Sequence, residues 1–226
     1  MGKNNVLRRD FLGMLATGAA AAGIGTVAGP ALTRATASPL FQTKDVKDFD
    51  AWLGKIKGAH KQVYDVTEVN HAMGLAWSRV FLMTNASTGV PLGEAQAVVI
   101  LRHGAIPMGM ETPAWEKYNF GEMFEIEDEQ SKKPLTKNMF YAPPPGTFPL
   151  PGMSIEELLK DGVLFGLCDM ALTFYSGMAA KKMNMDAAEI KKEWVASVMP
   201  GIQIVPSGVL AINRAQELGC TYCFAG

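Results

Sequence analysis

Residues 97–101, AVVIL within AQAVVILRHG, form a continuous apolar run and constrain the fold more than any other stretch. A strand with one face in water alternates apolar and polar side chains. One without alternation is buried on both faces. Such strands belong to parallel sheets covered by helices on both sides.

The rest of the chain reads in the same terms. HKQVYDVTEV, residues 60–69, has the alternation and β-branched content of a strand. Asn70 can cap a following helix through HAMGLAWSRVFLMTNAS, with Ala72, Leu75, Ala76, Val80 and Met83 on its apolar stripe, ended near Thr88, Gly89 and Pro91. Residues 104–152 are irregular. TPAWEKYNFGEMFEI has room for a short helix, and APPPGTFPLPG, residues 142–152, holds five prolines and excludes a regular element. A loop region of this length predicts a functional lid or an oligomer contact.

Order returns at Ser154, which with Glu157 forms a capping-box pattern opening SIEELLKDG. VLFGLCD reads as a short buried strand and ALTFYSGMAAKKM as a helix. DAAEIKKEWVASVM is a second helix, capped by Asp186 and stopped by Pro200 and Gly201. IQIVP is a strand, SGVLAINRAQELG a helix and CTYCFAG a final strand. This order predicts one α/β domain with a mostly parallel sheet and helices on both faces.

The N-terminus is a different kind of segment. Arg8 and Arg9 precede an uncharged, Ala- and Gly-rich run over residues 11–33, closed by the small-x-small pattern ATA. This is the layout of an export signal of the twin-arginine type. The run could span a membrane, but its five glycines and the cleavage pattern argue for removal. The expected organisation is a signal over residues 1–37 and a single domain over 38–226, with a Pro-rich insertion at about 104–152. Without Lys3, Arg8, Arg9, Arg34 and Asp10 the chain keeps 17 basic and 21 acidic side chains, a net charge of −4. No basic patch points to nucleic acid. A periplasmic location is expected, with membrane contact only through an uncleaved signal.

No G-x-G-x-x-G, P-loop or G-x-S-x-G is present, so a nucleotide cofactor and a hydrolase nucleophile elbow lack their signals, and no cofactor is expected. GCTYCFAG carries the C-x-x-C pair Cys220 and Cys223. A thioredoxin-type pair needs its first cysteine at a helix start, whereas this pair follows a helix. Three residues along a strand cover about 10 Å and point to opposite faces, so neither a disulfide nor a shared metal is expected. Cys168 ends VLFGLC, immediately before Asp169 and a helix. Open α/β sheets bind ligands at the carboxyl ends of their strands, and a helix N-terminus there favours the nucleophilic thiolate. The position equally suits a core cysteine. Arg102 and His103 end the AVVIL strand at the same edge and could supply an anion-binding guanidinium and a proton donor, although adjacent strand residues face opposite sides. His71 and His60 are weaker candidates. PMGM (Met108, Met110) and MNM (Met183, Met185) have the methionine spacing of Cu(I) sites, but also suit packing.

IEELLKDGVLFGLCDMAL, followed by PGIQIVPSGVLAINRAQELGCTY, resembles the DsrE/DsrF-like family of sulfur-relay proteins, in an exported branch. The resemblance implies a three-layer α/β/α sandwich with a parallel sheet of about five strands and a homo-oligomer. Cys168 matches the position where the family carries sulfur as a persulfide, and LRHGA resembles a strand-end motif. The expected partners are small sulfur species or a relay protein. The alternatives are a non-catalytic oligomeric binding module, with Cys168 structural, and a metal binder using His103, Met108, Met110 and Cys168. The Pro-rich insertion and the C-terminal cysteine pair depart from the family pattern.

Overall fold

In the computed structural model the AVVIL strand, β2 (Ala95–Leu101), lies at the centre of the sheet with Ala97 through Leu101 inaccessible to solvent. β1 (His60–Val66) and β3 (Leu164–Cys168) flank it, and β4 (Ile202–Val205) and β5 (Thr221–Phe224) form the edges. The order is β4-β3-β2-β1-β5 and every pairing is parallel. The structure describes residues 43–226, and the expected signal segment lies outside them. No helix among the described residues is long and apolar enough to cross a membrane.

Two apolar layers cover the sheet. On one face, Tyr64, Val66, Val99, Leu101, Phe165 and Leu167 pack against α2 (Met73–Ser87), α5 (Ile155–Lys160), α6 (Asp169–Met183) and α7 (Ala187–Ala196). On the other, Val63, Val98, Ile100 and Val205 pack against α1 (Thr43–Leu53) and α8 (Gly208–Glu217). The result is the expected three-layer α/β/α arrangement around five parallel strands.

The chain reaches this layout by moving one way across the sheet and then turning back. β1, β2, β3 and β4 follow in spatial order, with their connections on the α2 face. The last crossover returns from β4 past β3, β2 and β1 to β5, and its helix, α8, lies on the opposite face. Right-handed crossovers demand this, because reversing direction on a parallel sheet moves the connecting helix to the other side. The chain leaves β3 toward one face and β4 toward the other, so the carboxyl ends of these two neighbours form the topological switch point, where ligands bind in open α/β sheets.

Local signals were reliable where caps determine the boundary. Ser154 and Glu157 form the reciprocal capping box, and the Asp186 side chain accepts the amides of Ala188 and Glu189. At residue 70 the expectation fails. Asn70, His71 and Ala72 all adopt left-handed backbone, with φ of 40°, 50° and 59°, and form a 3-10 turn (Asn70–Ala72) in place of a capped helix start. The stripe assigned to α2 is also rotated. Leu75 is buried, with Gly74 and Ser78, whereas Val80 and Met83 are 44% exposed.

Part of the long insertion contributes to the core. A 3-10 segment (His103–Gly109) leads into α3 (Thr112–Tyr118) and α4 (Phe120–Met123). Trp115 and Phe120 are fully buried; they meet each other edge-on, Trp115 is tilted against Phe140, and Phe120 stacks on Tyr118 and meets Trp194 edge-on. Asn138 fastens the segment. Its amide donates to the carbonyls of Met108 and Met110 at 2.9 and 2.7 Å, and its Oδ1 accepts the amides of Phe140 and Tyr141. Residues 142–152 are surface turns, as the five prolines require, and most of residues 127–137 are exposed as well.

The helix that sequence reading missed, α1, supplies half of the second layer. Its Phe49, Trp52 and Leu53 recur at helical spacing, the signal that was available. Trp52 sits over Gly166 of β3, where a Cβ would lie 3.4 Å from its ring and 2.9 Å from Ile100. Trp52→Ala is expected to cost about 3 kcal/mol or more by urea denaturation; a smaller loss would mean that α1 is not part of the cooperative core.

Candidate functional site

Cys168 lies at the switch point. It is the last residue of β3 and the N-cap of α6, and its Sγ accepts the Ala171 amide at 3.3 Å. The backbone amides of Gly208, at the start of α8, and of Met170 also bear on the sulfur. Two helices on opposite faces therefore direct their first N–H groups at one side chain that is 6% exposed. Burial pushes the thiol above its ordinary value, opposed first by the Gly208 amide, then by those of Ala171 and Met170. Asp169 adds a small upward push, and its carboxylate is paired with Lys191 of α7 at 2.9 Å.

Arg102 and His103 diverge, as the pleat requires. Arg102 is extended at φ −138° and continues β2, its amide donating to the Val66 carbonyl. Its side chain turns to the α8 face. Nε donates to Asp65 Oδ1 at 2.6 Å and Nη2 to Asp65 Oδ2 at 2.9 Å. Asp65 is 4% exposed at its side chain and Arg102 26%. The Tyr222 hydroxyl, from β5, donates to the same Oδ2 at 2.8 Å. Gly208 lets these groups approach, since a Cβ there would lie 2.7 Å from Arg102 Cδ. Hydrogen bonding to Asp65 is the main reason that the guanidinium is held above its ordinary value, and Cys168 is among the groups that add to it. The structure thus brings Cys168 and Arg102 together across Gly208.

His103 takes left-handed backbone, φ 54°, and turns to the α6 face, where its Nε2 lies 3.3 Å from the Tyr175 hydroxyl with the rings edge-on. Burial, then Glu68, pushes that hydroxyl up to about 12. His60 starts β1, at the far end of the strands, and His71 is exposed and paired with Glu129, so neither joins the site.

All three cysteines are free. Cys220 packs with the α1–α8 layer and Cys223 against the α2 layer, on opposite sides of the sheet. Met108 and Met110 are wholly buried in the core, so PMGM is packing. Among the described residues no group of three or more His, Cys, Asp or Glu side chains could hold a metal.

Sequence reading did not find Asp65, Tyr222 or Gly208. Asp65 had a signal, a lone carboxylate between the apolar residues of VYDV, where a charge needs a partner. Tyr222 and Gly208 had none, since each matters only through residues far away in the chain.

No family model, curated protein or solved structure matches this chain. Its class is therefore given by its architecture: a parallel three-layer α/β/α domain with a cysteine at the switch point of the sheet.

Two outcomes follow from the site. Asp65→Asn removes the carboxylate from a nearly buried pair and is expected to cost about 3 kcal/mol by denaturant unfolding, with little change if the pair is dispensable. The raised Cys168 thiol contributes stability below about pH 8.5, the ordinary thiol range, and loses it as pH climbs through the higher folded value. Alkylation of Cys168 by iodoacetamide, followed peptide by peptide, should keep rising with pH after free cysteine has levelled off; a plateau at or below the free-cysteine range would contradict the assignment.

Proposed function

We propose that this chain is an exported DsrE/DsrF-like sulfur carrier that accepts a sulfane sulfur on Cys168 as a persulfide and passes it to a relay partner. The observation that carries the reading is the convergence of two helix N-termini on the sulfur of Cys168. Such donors favour a sulfur that bears negative charge, as a terminal persulfide sulfur does. Loading is a transfer. The thiolate attacks the sulfane sulfur of a donor, the donor's S–S bond breaks, and the leaving thiolate or sulfite departs with the bonding pair. The thiol proton goes to solvent. No resident cofactor takes part. Arg102 steadies the charge on the α8 side, and His103, with Tyr175, is placed to handle a proton on the α6 side.

The non-catalytic, oligomeric reading draws its own support from the edge of the sheet. β5 carries no charged residue, and its Tyr222 and Phe224 are about half exposed, features that suit a strand or a second subunit against that edge.

Mass spectrometry of the protein without residues 1–37, after incubation with thiosulfate, polysulfide or an organic persulfide, tests the carrier reading. A gain of one sulfur atom on Cys168 is expected, lost in Cys168→Ser and kept in Cys220→Ser and Cys223→Ser. No gain at a Cys168 that iodoacetamide reaches would sink the sulfur reading and leave the assembly module.

A further inference from the structure

The last strand leaves one side of its backbone open. β5 pairs with β1 alone, in the register Val63↔Tyr222, Tyr64↔Cys223 and Asp65↔Phe224. The Ala225 amide donates to the Asp65 carbonyl, so Ala225 and, two residues back, Cys223 turn their N–H and C=O groups inward to β1. Tyr222 and Phe224 turn theirs outward, away from the sheet. Among the described residues the Phe224 carbonyl meets only the Cys223 thiol, at 3.8 Å. The opposite edge is blunted: β4 lies between Pro200 and Pro206, which have no N–H for a further strand. β5, TYCF, contains neither a proline nor a charge.

Charge and backbone pattern together identify what fits there. A two-fold axis sets each group near it against its own counterpart, so a self-pairing edge cannot carry one sign of charge at its centre. The β5 edge meets that condition. Its outward groups also match their own copy. In an antiparallel pair, opposed residues with outward groups exchange two hydrogen bonds. Tyr222 set against Phe224 of a second copy, and Phe224 against that copy's Tyr222, satisfies every outward N–H and C=O of both residues. Exposed apolar side chains flank the edge on both faces. Tyr222 and Phe224, each about half exposed, stand on the α8 face. On the other face α2 runs beside the edge: the Tyr64 hydroxyl donates to the Trp77 carbonyl, and Gly74 backs onto Ala225. Arg79 turns from α2 to Asp161, just after α5, so Trp77, about 200° round the helix, lies on the β5 flank. Trp77 and Val80 are partly exposed there.

We infer that β5 joins antiparallel to β5 of a second copy of this chain, about a two-fold axis at Cys223, so that the two five-stranded sheets become one. Tyr222 of each copy then faces Phe224 of the other on the α8 side, as cross-strand aromatic pairs. The two Cys223 residues oppose each other on the α2 side as a non-hydrogen-bonded pair, with Cα atoms about 4.5 Å apart. That separation lies within the range of about 4.4–6.8 Å that a disulfide spans. The inference deepens the oligomeric reading of this edge by naming its occupant, and it holds whether Cys168 carries sulfur or only packs.

Sedimentation of the full chain at micromolar concentration is expected to give twice the monomer mass. Diamide then reads the register. It takes two electrons and two protons from a pair of thiols, leaving a disulfide, and should convert the dimer into a covalent one on a non-reducing gel. The link should persist in Cys168→Ser and Cys220→Ser and disappear in Cys223→Ser, which stays a dimer in solution. Phe224→Lys should sediment as a monomer with unchanged circular dichroism and should also lose the link, which separates a standing interface from chance collision of exposed thiols. A parent chain that sediments as a monomer overturns the inference and the oligomeric reading together, and leaves the edge to a different protein. A dimer that diamide does not link through Cys223, or that survives in folded Phe224→Lys, overturns the inference alone, because the copies then meet elsewhere. If Phe224→Lys fails to fold, the diamide result on the parent dimer still decides. Sulfur loading of Cys168 in any of these proteins bears on the carrier reading alone.

Discussion

The double-sided burial of β2 is the constraint from which the remaining structure follows. A strand with no polar face needs a neighbour on each side and a layer above and below. β1 and β3 supply the neighbours, and α1 with α8 closes the face that the earlier crossovers leave open. Because α8 must reach that face, the chain has to reverse direction after β4. The reversal separates the exits of β3 and β4 and opens the only place in this topology where adjacent strands send helices to opposite faces. Cys168 and Gly208 occupy its two sides. The site is thus a consequence of how the core is covered.

Polar groups are placed around that crevice at some cost. Asp65 takes a charge into a nearly dry position and holds it there with three hydrogen bonds from two side chains. Such a network fixes geometry more than it adds stability. The opposing influences on Cys168 belong to the same balance. Burial pushes the thiol up, while three amides favour the charged sulfur once it forms. Elsewhere the core is more permissive. The aromatic cluster of the insertion buries the Trp194 indole N–H without a hydrogen-bond partner, which costs about 1–3 kcal/mol of desolvation and is offset by the packing of Phe120, Tyr118 and Phe124 around it.

Much of the architecture was legible locally, and the failures have physical causes. Strand β2, the capping box at Ser154 and the Asp186 cap depend on residues within four positions of one another. The break at Asn70 does not: Asn70, His71 and Ala72 are all in left-handed backbone between β1 and α2, which no local cap pattern announces. The α2 stripe was misplaced because it carries apolar side chains on more than one side, and Val80 and Met83 compete with Phe81 and Leu82 for the same pattern. The packing of the insertion was not legible, because an irregular backbone gives no periodic signal of which side chains are buried. Its order comes from Trp115, Phe120 and Phe140 and from the four hydrogen bonds of Asn138, none of which follows a period.

The sequence by itself determined the α/β class, most of the strands and helices, and the placing of Cys168 between a strand and a helix, because these depend on periodicity and caps a few residues long. It also determined that Cys220 and Cys223 would part across the sheet, since successive strand residues alternate sides. Only the tertiary structure decided the strand order, the switch point and the partners of the cysteine. Arg102 meets a carboxylate 37 residues away, and that carboxylate meets a tyrosine 157 residues away. No local rule carries such distances, because they are set by which faces of the sheet remain to be covered when the last crossover forms.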